Sequence, residues 1–141
     1  MIYKMTNLIA KALDDADVEY DVNDSAMQSE VVVPLDIGGT PFRIKFISNS
    51  DQNDVTVRVP DILEDLTPEQ RTRLLPVIND INGSDDRGLR FWINIIDDLV
   101  LGYDFPRSFP DPEKYVLDTI ADIRALLDSV YPALKKAADD E

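Results

Sequence analysis

The 141-residue chain contains neither cysteine nor histidine. Without cysteine there is no disulfide framework, no thiol nucleophile and no cysteine-ligated zinc or iron–sulfur centre. Without histidine the commonest acid, base and metal ligand near neutral pH is missing as well. Positive charge is also scarce: 14 Lys and Arg stand against 28 Asp and Glu, a formal net charge of −14. Such a chain is repelled by phosphate backbones and anionic lipid surfaces, so nucleic acid and membranes are not expected partners. No apolar run approaches the roughly 18 residues of a membrane span, and "MIYKMTNLIAKALDDAD" lacks a signal-peptide core. A cytoplasmic location is the expectation.

What is present suits one domain. The chain is 44% hydrophobic, and its acidic residues are dispersed among periodic aliphatic ones, which argues against disorder. Residues 1–141 read as a single domain with a solvated acidic tail from about residue 136. Ile2, Met5, Ile9, Ala12 and Ala16 recur at helical steps, with Leu8 and Leu13 widening the stripe. "VEYDV" then alternates as a strand over residues 18–22. "EVVVPLDIGGTPFRIKFI" supplies two alternating runs around Gly38-Gly39, a dipeptide suited to a two-residue hairpin. In that register Leu35 faces Phe42, Val33 faces Ile44 and Val31 faces Phe46, while Pro34 opposite Arg43 points to an edge or a bulge. Val55, Val57 and Val59 form a further strand that Pro60 is expected to end.

Thr67, Pro68 and Gln70 have the spacing of an N-cap, a first helical residue and a capping box. Leu74, Ile78 and Ile81 form the inward row of that helix, Pro76 removes one of its backbone bonds, and Asn82-Gly83 is expected to close it. Leu89, Phe91, Ile93 and Ile95 alternate next, followed by Leu99, Leu101, Tyr103 and Phe105. A three-residue loop would pair Ile95 with Leu99, Ile93 with Leu101 and Trp92 with Gly102, with Asp97 or Asp98 left-handed. Asp111 and Pro112 open a long amphipathic helix through Leu134, which Pro132 is expected to kink or fray. The predicted order is α-β-β-β-β-α-β-β-α, an α+β domain in which helices pack a twisted antiparallel sheet.

Motifs for chemistry are weak. "NSDQND" places Asn49, Asp51 and Asn53 like the start of a calcium loop, but Asp54 replaces the required glycine and Pro60 the closing glutamate. The pairs Asp14-Asp15, Asp85-Asp86, Asp97-Asp98 and Asp139-Asp140 fall at element ends or in the tail, where aspartate serves local hydrogen bonding. No cofactor is expected, and no enzyme. The better candidate is Trp92, the one tryptophan, with Arg90, Asn94 and Ile96 on the face opposite Phe91; aromatic and arginine side chains dominate protein interfaces. The competing reading has Trp92 covering Gly102 beneath a helix. Asn79 and Asn82, one turn apart before Gly83, either satisfy free backbone groups at a helix end or tie the helix to the next strand near Arg90.

"VINDIN", "LRFWI", the acidic turn, "LVLGYDF" and the proline-bearing approach to a long final helix resemble the YbjN-like family of bacterial proteins, whose fold is similar to that of type III secretion chaperones. In that resemblance Asn79, Asn82 and Arg90-Phe91 match family positions; Pro76 and Pro132 depart from it. It implies a non-enzymatic module that binds another protein or itself, as a homodimer, in a chaperone-like or regulatory role. The alternative it implies is a sensory regulator with a small-molecule pocket between sheet and helices.

Overall fold

The computed structural model describes residues 3–139. Its elements are α1 (Lys4–Asp15), β1 (Asp21–Asp24), β2 (Ser29–Ile37), β3 (Thr40–Ser48), β4 (Asp54–Leu63), α2 (Pro68–Ser84), β5 (Leu89–Ile93), β6 (Leu99–Tyr103), β7 (Arg107–Ser108) and α3 (Pro112–Asp139). This is an α+β fold in which three helices pack a twisted seven-stranded antiparallel sheet, ordered β1-β2-β3-β4-β6-β5, with β7 pairing β4. The two-residue β7 has no counterpart in the predicted order; it continues along β4 past the end of β6.

Turn chemistry explains the central hairpin. Gly38 and Gly39 have φ of +57° and +89°, and the Asp36 carboxylate accepts the Gly39 amide at 2.9 Å. The predicted register holds at Val31–Phe46, Val33–Ile44 and Leu35–Phe42. Pro34 lies on an edge as expected, because β1 pairs only Ser29–Val32 of β2. One apolar cluster joins Val33, Ile44, Phe46, Val57 and Leu101 of the sheet to Ile9, Leu74, Ile78, Ile123 and Leu127 of the helices.

Several expectations are corrected. Ile2 lies outside the described residues. The first strand begins at Asp21 rather than at residue 18: Asp17 turns left-handed (φ +57°), its amide bonds the Asp14 carbonyl and that of Val18 bonds Leu13, so Val18 is spent in closing α1. Pro60 does not end β4, which runs to Leu63 through a register shift at left-handed Asp61 (φ +59°). Gly83 does not stop α2. The helix continues to Ser84, and Gly88 (φ +88°) turns the chain into β5 instead.

The β5–β6 register is two residues from the one predicted: Ile93 pairs with Leu99, Phe91 with Leu101, and Trp92 with Val100. The reason is Asn94. Its side-chain oxygen accepts the amides of Ile96 (3.1 Å) and Asp98 (3.0 Å), holding a five-residue turn that leaves Ile95 97% exposed. Asp97 is left-handed (φ +63°), as that turn chemistry demands. Phe105, placed with the core by alternation, is 78% exposed beyond the end of β6.

Nor do residues 136–139 form a solvated tail. α3 runs through Pro132 to Asp139 with Leu134 and Ala138 buried. Arg73 of α2 donates to the carbonyls of Ala137 (3.0 Å) and Ala138 (2.8 Å), and Gln70 to Ala138 (3.3 Å). These are the carbonyls a helix end leaves without partners, and the arginine charge suits the negative pole there.

The asparagines separate in role. Asn82 reaches from α2 to the outer edge of β5, where its amide donates to the Phe91 carbonyl (2.9 Å) and its oxygen accepts the Phe91 amide (2.9 Å). The side chain thus stands in for a neighbouring strand and blunts an edge that would otherwise invite another chain. Asn79 is exposed and makes no side-chain hydrogen bond among the described residues. Asn82→Ala should therefore lower unfolding free energy by about 1–3 kcal/mol in urea melts and promote edge-to-edge self-association, whereas Asn79→Ala should stay within about 0.5 kcal/mol.

Candidate functional site: the open face of the sheet

Alternation along each strand gives the sheet two faces. The face containing Val33, Ile44, Val57, Phe91 and Leu101 belongs to the core cluster, together with side chains from all three helices. The opposite face carries Glu30, Lys45, Arg58, Trp92, Val100 and Gly102, none of which belongs to that cluster. At its centre lies a depression of about 360 Å³ bordered by Glu30, Lys45, Arg58, Trp92, Asn94 and Val100.

Strand pairing builds this site in rows. Arg58 of β4, Gly102 of β6 and Arg90 of β5 lie side by side across three strands. A Cβ at Gly102 would collide with the Val57 carbonyl oxygen, and would lie 3.2 Å from Arg58 Nη1 and 3.3 Å from Trp92 Cη2. The missing side chain thus leaves room for the Arg58 guanidinium beside β6. Arg58 Nη1 donates to the carbonyls of Val57 (2.9 Å) and Tyr103 (2.7 Å), and its Cζ stands 4.8 Å from the centre of the Trp92 ring. The contact combines a cation with an aromatic face. Burial holds the Arg58 pKa below its ordinary value, while Asp104, acting from beyond ion-pair distance, opposes the shift.

Neighbouring charges are arranged differently. Lys45 pairs with Glu30 at 3.5 Å, Asn23 donates to the same carboxylate at 3.2 Å, and Arg43 pairs with Asp61 at 3.1 Å. Arg90 Nη1 turns back to the Leu89 carbonyl at 2.8 Å. Among the described residues no carboxylate lies within 4.0 Å of Arg58 or Arg90, and the Trp92 indole N–H makes no hydrogen bond.

Arg90 and Trp92 therefore share one surface as the sequence suggested. Asn94 borders it, but its side-chain oxygen is occupied by the turn. Ile96 sits in that turn, 66% exposed, rather than on a strand. Trp92 does lie against Gly102, although its strand partner is Val100, and it does so on the face away from the core cluster rather than in the layer beneath a helix. Arg58 was not singled out by sequence. Its signal was a basic residue on the polar side of the Val55–Val59 alternation, but only the adjacency of β4 to β6 joins it to Trp92.

The acidic motifs perform local work. Asp51 Oδ1, in the calcium-like segment, accepts the Lys4 amide at the start of α1 (3.3 Å). Asp85 accepts the Leu89 amide (3.2 Å), Asp97 pairs with Arg71 (3.0 Å), and buried Asp98 accepts the Asp65 amide (3.0 Å). Among the described residues no three acidic side chains are grouped to hold a metal ion, and no helix is long and apolar enough to cross a membrane.

Gly102→Ala should lower stability by about 1–3 kcal/mol, because a strand carbonyl cannot yield cheaply, and should shift Trp92 emission as Arg58 and the ring are pushed apart. Urea unfolding followed by tryptophan fluorescence reads both effects. In comparisons with known proteins, no family model, no curated protein and no solved structure matches the chain.

Proposed function

We propose that this chain is a non-enzymatic protein-binding module of the bacterial cytoplasm that holds a segment of another polypeptide against the open face of its sheet. The observation that carries this reading is Trp92, stacked by Arg58 on the face that the core leaves uncovered. A partly buried tryptophan beside arginine, rimmed by partly buried polar groups, has the composition of an interface hot spot. The residues that resemble the YbjN-like family, and through it the secretion-chaperone fold, favour the same chaperone-like or regulatory role and add a homodimer. The sensory alternative has less support, since fully buried Ile44, Phe46, Leu101 and Leu127 fill the layer between sheet and helices where its pocket would lie.

Immobilised wild-type chain should retain a host protein that immobilised Trp92→Ala does not. Repeated with the purified partner, the substitution should weaken binding by about 2 kcal/mol or more, roughly thirtyfold, while circular dichroism shows the fold retained. Equal retention by both chains would sink the open-face reading. Sedimentation equilibrium tests the homodimer separately: a monomer at every concentration removes the dimer and leaves the open face untouched.

A further inference from the structure

The basic side chains on the open face are not equivalent. Lys45 and Arg43 are already neutralised, by Glu30 and Asp61. Arg58 and Arg90 have no carboxylate within 4.0 Å among the described residues, Asp104 acting on Arg58 only from farther off, in a chain where acids outnumber bases two to one. The hydrogens of Arg58 Nη1 are spent on two backbone carbonyls, which fixes the guanidinium and leaves its Nε–Nη2 edge free. That edge is the fork that receives a carboxylate through two parallel hydrogen bonds. Arg90 is likewise anchored through Nη1 alone. Between them lies Gly102, over which the Trp92 ring reaches with its N–H unused among the described residues.

We propose that the open face recognises a carboxylate carried close to an apolar side chain on an extended segment of a partner polypeptide. The fixed fork of Arg58 takes the carboxylate, Trp92 takes the apolar group, and Arg90 takes a second acceptor. This rests on the open-face reading above and names the chemistry of its ligand. Burial of Arg58 fits the assignment, since a partly desolvated cation gains most from a matching anion.

Other occupants fit less well. A second copy using the same face would set Arg58 and Arg90 against their own counterparts. Nucleic acid, or a densely acidic protein, is repelled at long range by a net charge of −14. A single small acid would engage little beyond the Arg58 fork, because the backbone positions of Arg58 and Arg90 stand two strand spacings, roughly 10 Å, apart and each guanidinium is tied to backbone. A polypeptide segment spans that distance and carries few charges.

A displayed library of random peptides selected on wild-type chain, and counter-selected on Trp92→Ala, tests this. Enriched sequences should contain Asp or Glu within two residues of a leucine or an aromatic residue. A synthetic, end-capped peptide of the leading sequence should saturate a change in Trp92 fluorescence. Its acid-to-amide analogue should bind at least roughly tenfold more weakly, and that difference should disappear in Arg58→Gln but persist in Arg90→Gln, which should weaken both peptides alike. The acid–amide comparison on the wild-type chain decides the carboxylate assignment even where Arg58→Gln, which loses a bond joining β4 to β6, does not fold; Arg90 bonds only to its own strand, and unchanged peptide binding by Arg90→Gln removes its second-acceptor role. Enrichment without acids, or equal binding of the amide analogue, overturns the carboxylate assignment and leaves the open-face reading standing. No enrichment over Trp92→Ala overturns both. Benzoate alone matching the peptide in affinity and arginine dependence overturns the polypeptide source.

Discussion

A hydrogen atom where other residues carry a Cβ governs the open face. Because Gly102 projects nothing, the Val57 carbonyl and the Arg58 guanidinium occupy the space above β6, and the Trp92 ring can lie over them. Any larger residue would have to displace backbone. The cost of glycine in a strand, lost packing and excess chain freedom, is accepted at the one sheet position where three strands bring two arginines and the tryptophan together. The stacking of Arg58 on Trp92 depends on that position.

The sheet must also manage its edges. At β5 the outward polar groups of Leu89 and Phe91 meet side chains instead of another strand: Asn82 serves Phe91 with both a donor and an acceptor, and Asp85 accepts the Leu89 amide. On the other side, Pro34 withholds its N–H where β1 no longer covers β2. Edges treated this way are poor templates for strand addition, whereas the outer edge of β1, the other edge strand of the sheet, is exposed.

Local chemistry was the legible part of the sequence. Gly38-Gly39 with alternating neighbours determined a hairpin and its register, and Thr67, Pro68 and Gln70 determined a helix start whose capping box is present in full. Failures arose where a side chain competes with backbone or a contact spans distance. Asn94 lengthened a turn by bonding two amides, and so moved Ile95 and Phe105 off the apolar face that alternation had given them. Acidic composition suggested a solvated tail, but Arg73, more than sixty residues away, holds its carbonyls. The candidate site was half visible: Arg90 and Trp92 share a strand, whereas Arg58 reaches them only through the order β4-β6-β5.

The grip of α2 on the last turns of α3 gives the second half of the chain a closed form. Arg73 and Gln70 bond carbonyls 64 to 68 positions away, so α2, β5, β6, β7 and α3 form a loop of chain fastened where its two helices meet. The far end of the longest helix is consequently no free end. Opening that end breaks bonds to α2, the helix whose other end supports β5, the strand that carries Trp92.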